Sequence, residues 1–168
     1  MKKNDVQPTV IQNEAIVITS RELLDHWQSH RRVTRRVIEA FPEDKLFTYS
    51  VGGMRTFAAL VQEMITMAVP GMKGVVTGQW EHYKESEIPA NKKELLQVWD
   101  QATEEINSLW AQVPPTRFHE VDVAFGQWEG QIYSILFYWI DNEIHHRGQG
   151  YVYLRSLGIE PPAFWDRS

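Results

Sequence analysis

The sequence predicts an all-α fold, a four-helix bundle with one long crossover connection, and three observations predict it. Four segments, near residues 19–41, 55–69, 92–113 and 129–157, repeat apolar residues at helical spacing. Each ends at a proline or glycine stop. Only one short stretch alternates with period two. Amphipathic helices with no large sheet to cover bury their stripes on one another, and a bundle is the simplest way to do so.

The first segment opens with a capping box. Thr19 can accept from the amide three residues on, while Glu22 reaches back to the Thr19 amide. Leu23, Leu24, Trp27, Thr34, Val37, Ile38 and Phe41 form its stripe, and Pro42 stops it. Residues 1–17 read as an extended lead-in that packs on the body at Ile16–Ile18. The second helix starts after the Gly52-Gly53 loop and carries Phe57, Leu60, Val61, Met64 and Ala68. Pro70-Gly71 is expected to interrupt it, leaving a short helical piece and a loop before residue 92. The third helix buries Leu95, Leu96, Trp99, Ile106, Leu109 and Trp110 and ends before Pro114-Pro115. Residues 118–123 alternate and allow a short strand inside the crossover. Gly158 and Pro161-Pro162 close the last helix.

A chain of 168 residues fits one domain over 1–168 with a sizeable core, and 43% hydrophobic content excludes global disorder. Twenty aromatic residues, seven of them Trp, are enough to fill that core and line a pocket. A net charge of −5 disfavours nucleic acid as a partner. Arg31, Arg32, Arg35 and Arg36 are the one basic cluster, read as a solvated, acid-paired face. Without cysteine, any metal site must use His, Asp, Glu, Asn or water. No apolar run reaches the ~20 residues of a membrane span, and a cytoplasmic location is expected.

The last helix holds the chemistry. At about 100° per residue, Ile132, Leu136, Trp139, Glu143, His146, Gly150, Leu154 and Leu157 fall within roughly 40° of one direction. A carboxylate and an imidazole, Glu143 and His146, therefore interrupt an apolar stripe, while His145 points away from it. A buried charge is costly unless paired or bound to a metal, so these groups require partners. Glu-x-x-His is a metal-ligand spacing in helix bundles, but it occurs often by chance, and a histidine on an apolar face is more often a hydrogen-bonded core histidine than a ligand. Gly148 and Gly150 read as sites of close helix approach. Trp80 reads as a core lid, and His26, His30, His82 and His119 receive no role.

The run "HHRGQ" with "YLRSLGIEPP" downstream resembles the last-helix signature of the DinB-like (DinB/YfiT) superfamily. "RRVTRRVIEAFPEDKL" and "GGMRTFAALVQEM" resemble its first helix and the start of its second, and the similarity covers most of residues 19–162. The resemblance implies a four-helix bundle, a homodimer, and a divalent metal such as nickel or zinc held by three histidines between helices. Carried over, those positions are His146, Asn142 and Glu63, so one histidine of three is present. Asn and Glu offer oxygen ligands, a harder site, and Glu143 can supply what Asn142 does not. Two functions remain open. One is a metal-dependent enzyme, a hydrolase or a transferase using a small thiol. The other is a non-catalytic, stress-associated bundle that has lost the metal and binds a small molecule.

Overall fold

The structure, a computed structural model, describes residues 16–82, 84 and 87–168. Most of the expected lead-in lies outside the described residues. Its end does not pack on the body as expected: Ile16 and Val17 are 80% and 96% exposed. Helix α1 (Ser20–Ala40) begins at the Thr19 capping box, with both reciprocal bonds made. A short helix not read from the sequence, α2 (Glu43–Thr48), follows Pro42. The long helices α3 (Phe57–Thr77), α4 (Lys92–Trp110) and α5 (Ile132–Ser156) complete the bundle. Between α4 and α5 lie a 3-10 turn at Pro115–His119 and an antiparallel hairpin, β1 (Val121–Ala124) and β2 (Trp128–Gln131). No helix among the described residues is long and apolar enough to cross a membrane.

Each long helix packs on two others: α1 on α4 and α5, and α3 on α4 and α5. The connections α1–α3 and α4–α5 therefore run across the bundle. The second carries the hairpin and is the long crossover.

Two expected helix boundaries are corrected. α3 does not stop at Pro70-Gly71 but runs seven residues further, to a left-handed Gly78 cap whose amide bonds the Gly74 carbonyl at 2.8 Å. Pro70 costs that helix one backbone hydrogen bond. The glycines that look like breakers are contact points. A Cβ on Gly71 would collide with the Trp139 indole, and one on Gly74 with Trp80. α5 starts at Ile132 rather than 129, because residues 128–131 pair with β1 in the register Val121↔Gln131 to Ala124↔Trp128. The alternating stretch predicts one strand of that hairpin; the second carries no comparable alternation.

The core is two apolar clusters stacked along the bundle. One contains Leu23, Trp27, Met72, Ile106, Trp110, Leu136 and Trp139. The other contains Val37, Phe41, Phe57, Leu60, Leu95, Trp99, Tyr153 and Leu154. On α1 and α5 the residues between them, His30, Arg31, Thr34, Glu143, His146 and Arg147, are buried and polar. Arg31 is 1% exposed, which corrects its place in a solvated basic face. The other three arginines do lie outward: Arg35 pairs with Asp100 and Glu39, Arg36 with Asp166, and Arg32 donates to the Arg167 carbonyl.

The two glycines of α5 separate clearly. A Cβ on Gly150 would collide with the Phe57 ring, whereas Gly148 has nothing within 4 Å, so close packing applies to Gly150 only. Gly148→Ala is expected to stabilise the protein by about 0.5–1 kcal/mol through helix propensity. Gly150→Ala is expected to destabilise it by about 1–3 kcal/mol through overpacking. Denaturant unfolding of the two variants measures both.

Candidate functional site

Glu143 and His146 are both buried, as their place on the α5 stripe requires, but they enter different networks. Glu143 lies in the layer between the two apolar clusters. Its Oε1 accepts from the Thr34 hydroxyl at 2.6 Å, and its Oε2 accepts from Trp27 Nε1 at 3.2 Å. Arg31 Nη1 stands 3.7 Å from Oε2, and Arg147 Nη1 3.9 Å from Oε1. Arg31 also donates to Thr103 and to the Trp99 carbonyl, with its guanidinium 3.8 Å above the Trp99 ring. Burial lowers the Arg31 pKa to about 10, with Glu143 opposing that shift, and the group stays charged at neutral pH.

Arg147 reaches across to α1. It donates to the Thr34 hydroxyl at 3.1 Å, to the His30 carbonyl at 3.2 Å and to His30 Nδ1 at 2.9 Å. A guanidinium only donates, so Nδ1 is the bare nitrogen of a neutral ring. Burial first, then Arg147, Arg167 and His26, push the His30 pKa down to about 3. His30, Arg31 and Thr34 of this layer were not singled out as site residues by sequence reading. The signal that could have found them is their helical spacing with Trp27 and Val37 on the buried side of α1.

His146 meets Glu63 of α3, with Nε2 and Oε1 3.0 Å apart. The other Glu63 oxygen pairs with Arg55. Burial raises the Glu63 pKa, but the bonds from Arg55 and His146 outweigh it and the net shift is downward. Burial holds the His146 imidazole below its usual range, against the opposing pull of Glu63. A carboxylate can only accept, so Nε2 carries the proton and Nδ1 is bare. That Nδ1 is buried with no hydrogen-bond partner. Asn142 is half-buried and joins neither network.

These residues do not fit a divalent metal. A metal between His146 Nε2 and Glu63 would displace the proton that Glu63 accepts, and the free lone pair of the imidazole, on Nδ1, is met by no hydrogen-bonding group. Glu63 is already neutralised by Arg55, and Glu143 is held in the other layer by Thr34 and Trp27. Among the described residues no group of three or more His, Cys, Asp or Glu side chains is placed to hold a metal ion. The structure brings together two of the four expected ligands, His146 with Glu63, and separates Glu143 from them.

Glu63 also lines a crevice of about 460 Å³ between α3, the hairpin and α5. Trp139, Phe125 and Ile135 are its buried walls; Trp128, Tyr138 and Glu129 line it from exposed positions. Phe125 and Gly126 form the hairpin turn with φ of 54° and 70°. The Phe125 ring is nevertheless buried, edge-on to Trp80 at 5.7 Å and to Trp128 at 6.0 Å.

A sequence model of the DinB family matches residues 11–167. A DinB-like protein from Bacillus cereus is similar in structure, with a TM-score of 0.70 at 18% identity, covering 85% of this chain and 95% of that one. A second, the DinB-like protein YjoA from Bacillus subtilis, gives 0.69 at 20% identity over 84% and 96%. At these identities the likeness is one of fold. No curated protein matches.

Removing Glu143 leaves two buried guanidinium groups without the carboxylate they share. Glu143→Ala is expected to cost roughly 3–5 kcal/mol. His146→Ala, which strips a bond from half-buried Glu63, is expected to cost roughly 1–3 kcal/mol. His145→Ala, on the exposed side, should stay within about 0.5 kcal/mol. Urea unfolding at neutral pH ranks the three.

Acid should weaken the fold through His30. Its folded pKa, about 3, lies below the ordinary 6.5. Below pH 6.5 the unfolded chain takes up a proton that the folded chain refuses. Stability is therefore full above that pH and declines as pH falls toward 3, by roughly 2 kcal/mol between pH 7 and 5. His146 is shifted in the same direction and adds to the loss. Thermal unfolding across this range should show the decline, and His30→Gln should flatten it.

Proposed function

The chain belongs to the DinB family, and from that premise we propose that it is a small-molecule-binding bundle that takes its ligand in the crevice between α3, the hairpin and α5. The observation that carries this reading is the crevice itself. Its volume of about 460 Å³ lies in the range of small-ligand sites, and its walls are mostly aromatic and aliphatic with a few polar groups. Such a lining removes apolar ligand surface from water while Glu63 fixes orientation.

His146 and Arg55 then act as positioning residues. Each bonds one oxygen of Glu63, so the carboxylate that lines the crevice is held in one rotamer and kept ionised. The donor set favours this over the metal-dependent hydrolase or thiol transferase, because Glu63 is already committed to His146 and Arg55, and Glu143 to Thr34 and Trp27.

Trp128 and Trp139 line the crevice and report its occupancy through their fluorescence. A small aromatic ligand is expected to change that emission saturably, with the same affinity with and without a chelator. Trp128→Ala should weaken binding about ten-fold or more, as loss of one buried aromatic contact does. Binding that requires added nickel or zinc, and that His146→Ala abolishes together with stoichiometric metal uptake, would instead establish the metal enzyme.

A further inference from the structure

We propose that the ligand class of this crevice is an organic cation, a protonated amine or quaternary ammonium carried on an apolar or aromatic body. This rests on the binding reading above and names its ligand.

Charge is the first ground. The crevice lining contains two carboxylates, Glu63 and Glu129, and no Lys or Arg. Arg55 offsets Glu63. Glu129, on exposed β2, has no ion-pair partner among the described residues, so the lining keeps one uncompensated negative charge. A carboxylate at the edge of a low-dielectric crevice attracts a cation more strongly than one on open surface. An anionic ligand, including a thiolate or a carboxylate, would meet the same charge as repulsion.

The second ground is the aromatic lining. Phe125 and Trp128 come from the hairpin, and Tyr138 and Trp139 from α5. Aromatic faces carry negative quadrupole density and bind ammonium groups, best when several surround one site. Trp128 and Tyr138 are 53% and 59% exposed, large aromatic surface left at the mouth of a cavity. A Cβ-bearing aromatic in the left-handed region, Phe125 at φ 54°, holds a backbone conformation that L side chains disfavour. Such strain persists where the surroundings impose it, and it concentrates at ligand sites. Here it turns a buried ring into the crevice wall, where a glycine would satisfy the backbone but leave no ring.

Size is the third. At about 460 Å³ the crevice exceeds a bare ammonium group and leaves room for an apolar body against Ile135 and Met67.

The test compares three benzyl probes by calorimetry: benzyltrimethylammonium, its uncharged isostere neopentylbenzene, and the anion phenylacetate. The cation is expected to bind about ten-fold or more tightly than the isostere, and phenylacetate not to bind. Glu129→Gln, an exposed change that leaves the fold intact, should weaken the cation about five-fold and leave the isostere unchanged. Equal affinity for the cation and its isostere would overturn the cation assignment while leaving the binding crevice in place. So would preference for phenylacetate. Failure of all three probes to bind would remove the crevice reading itself.

Discussion

One buried carboxylate between two buried guanidinium groups sets the terms for the rest of this bundle. Glu143 is 2% exposed, and Arg31 and Arg147 are 1% and 5% exposed. Desolvating each ion costs several kcal/mol, and only mutual attraction with full hydrogen bonding recovers it. The bundle supplies most of those bonds from three helices: Trp27, His30 and Thr34 from α1, Thr103 and the Trp99 carbonyl from α4, and Glu143 with Arg147 from α5; Arg31 Nη1, facing Glu143, has only the charge contact at 3.7 Å. A shift of one helix along its axis by a single turn would leave at least one charge buried and alone. The layer thus fixes the axial register of the helices, which two apolar clusters by themselves would specify only loosely.

That register in turn decides what His146 can touch. With Glu143 committed to α1, the imidazole one turn further along α5 faces α3 and finds Glu63. Glu63 is bonded on both oxygens before any ligand arrives, by His146 and by Arg55. A preformed, ionised carboxylate beside a cavity suits recognition: its orientation cost is already met by the fold. The same commitment disfavours it as a ligand of a metal shared with His146 Nε2, since binding there would require loss of the proton that Glu63 accepts and displacement of Arg55.

The hairpin supplies what the bundle lacks. Four helices packed through Trp27, Trp110 and Trp139 fill their own interior. By returning along the crossover before α5 begins, β1 and β2 place Phe125, Trp128 and Glu129 opposite α3 and α5 and close a crevice that helices alone would leave as open groove. Gly71 allows Trp139 to approach α3 closely, and Gly74 does the same for Trp80, so the glycines of α3 shape the wall next to that crevice.

Much of this was legible from the residues alone. Helical periodicity, the Thr19 capping box and the Pro and Gly stops place α1, α4 and most of α5, because those signals are local and depend on residues within one turn of each other. The same periodicity shows that Glu143 and His146 face inward. It could not show what they face. Trp27 and Glu143 are 116 positions apart, and Arg147 and His30 are 117 apart. A helix wheel gives the direction of a side chain but not the depth of the neighbouring helix it meets. For the same reason Arg31 reads as one of four surface arginines until α4 supplies Trp99 and Thr103. Pro70 reads as a stop until α5 packs on Gly71, and the tertiary contacts then outweigh the lost hydrogen bond. The sequence by itself determined the helices and the inward polar groups. The tertiary structure decided the pairing of those groups and the aromatic crevice, because both are contacts between segments distant in the chain.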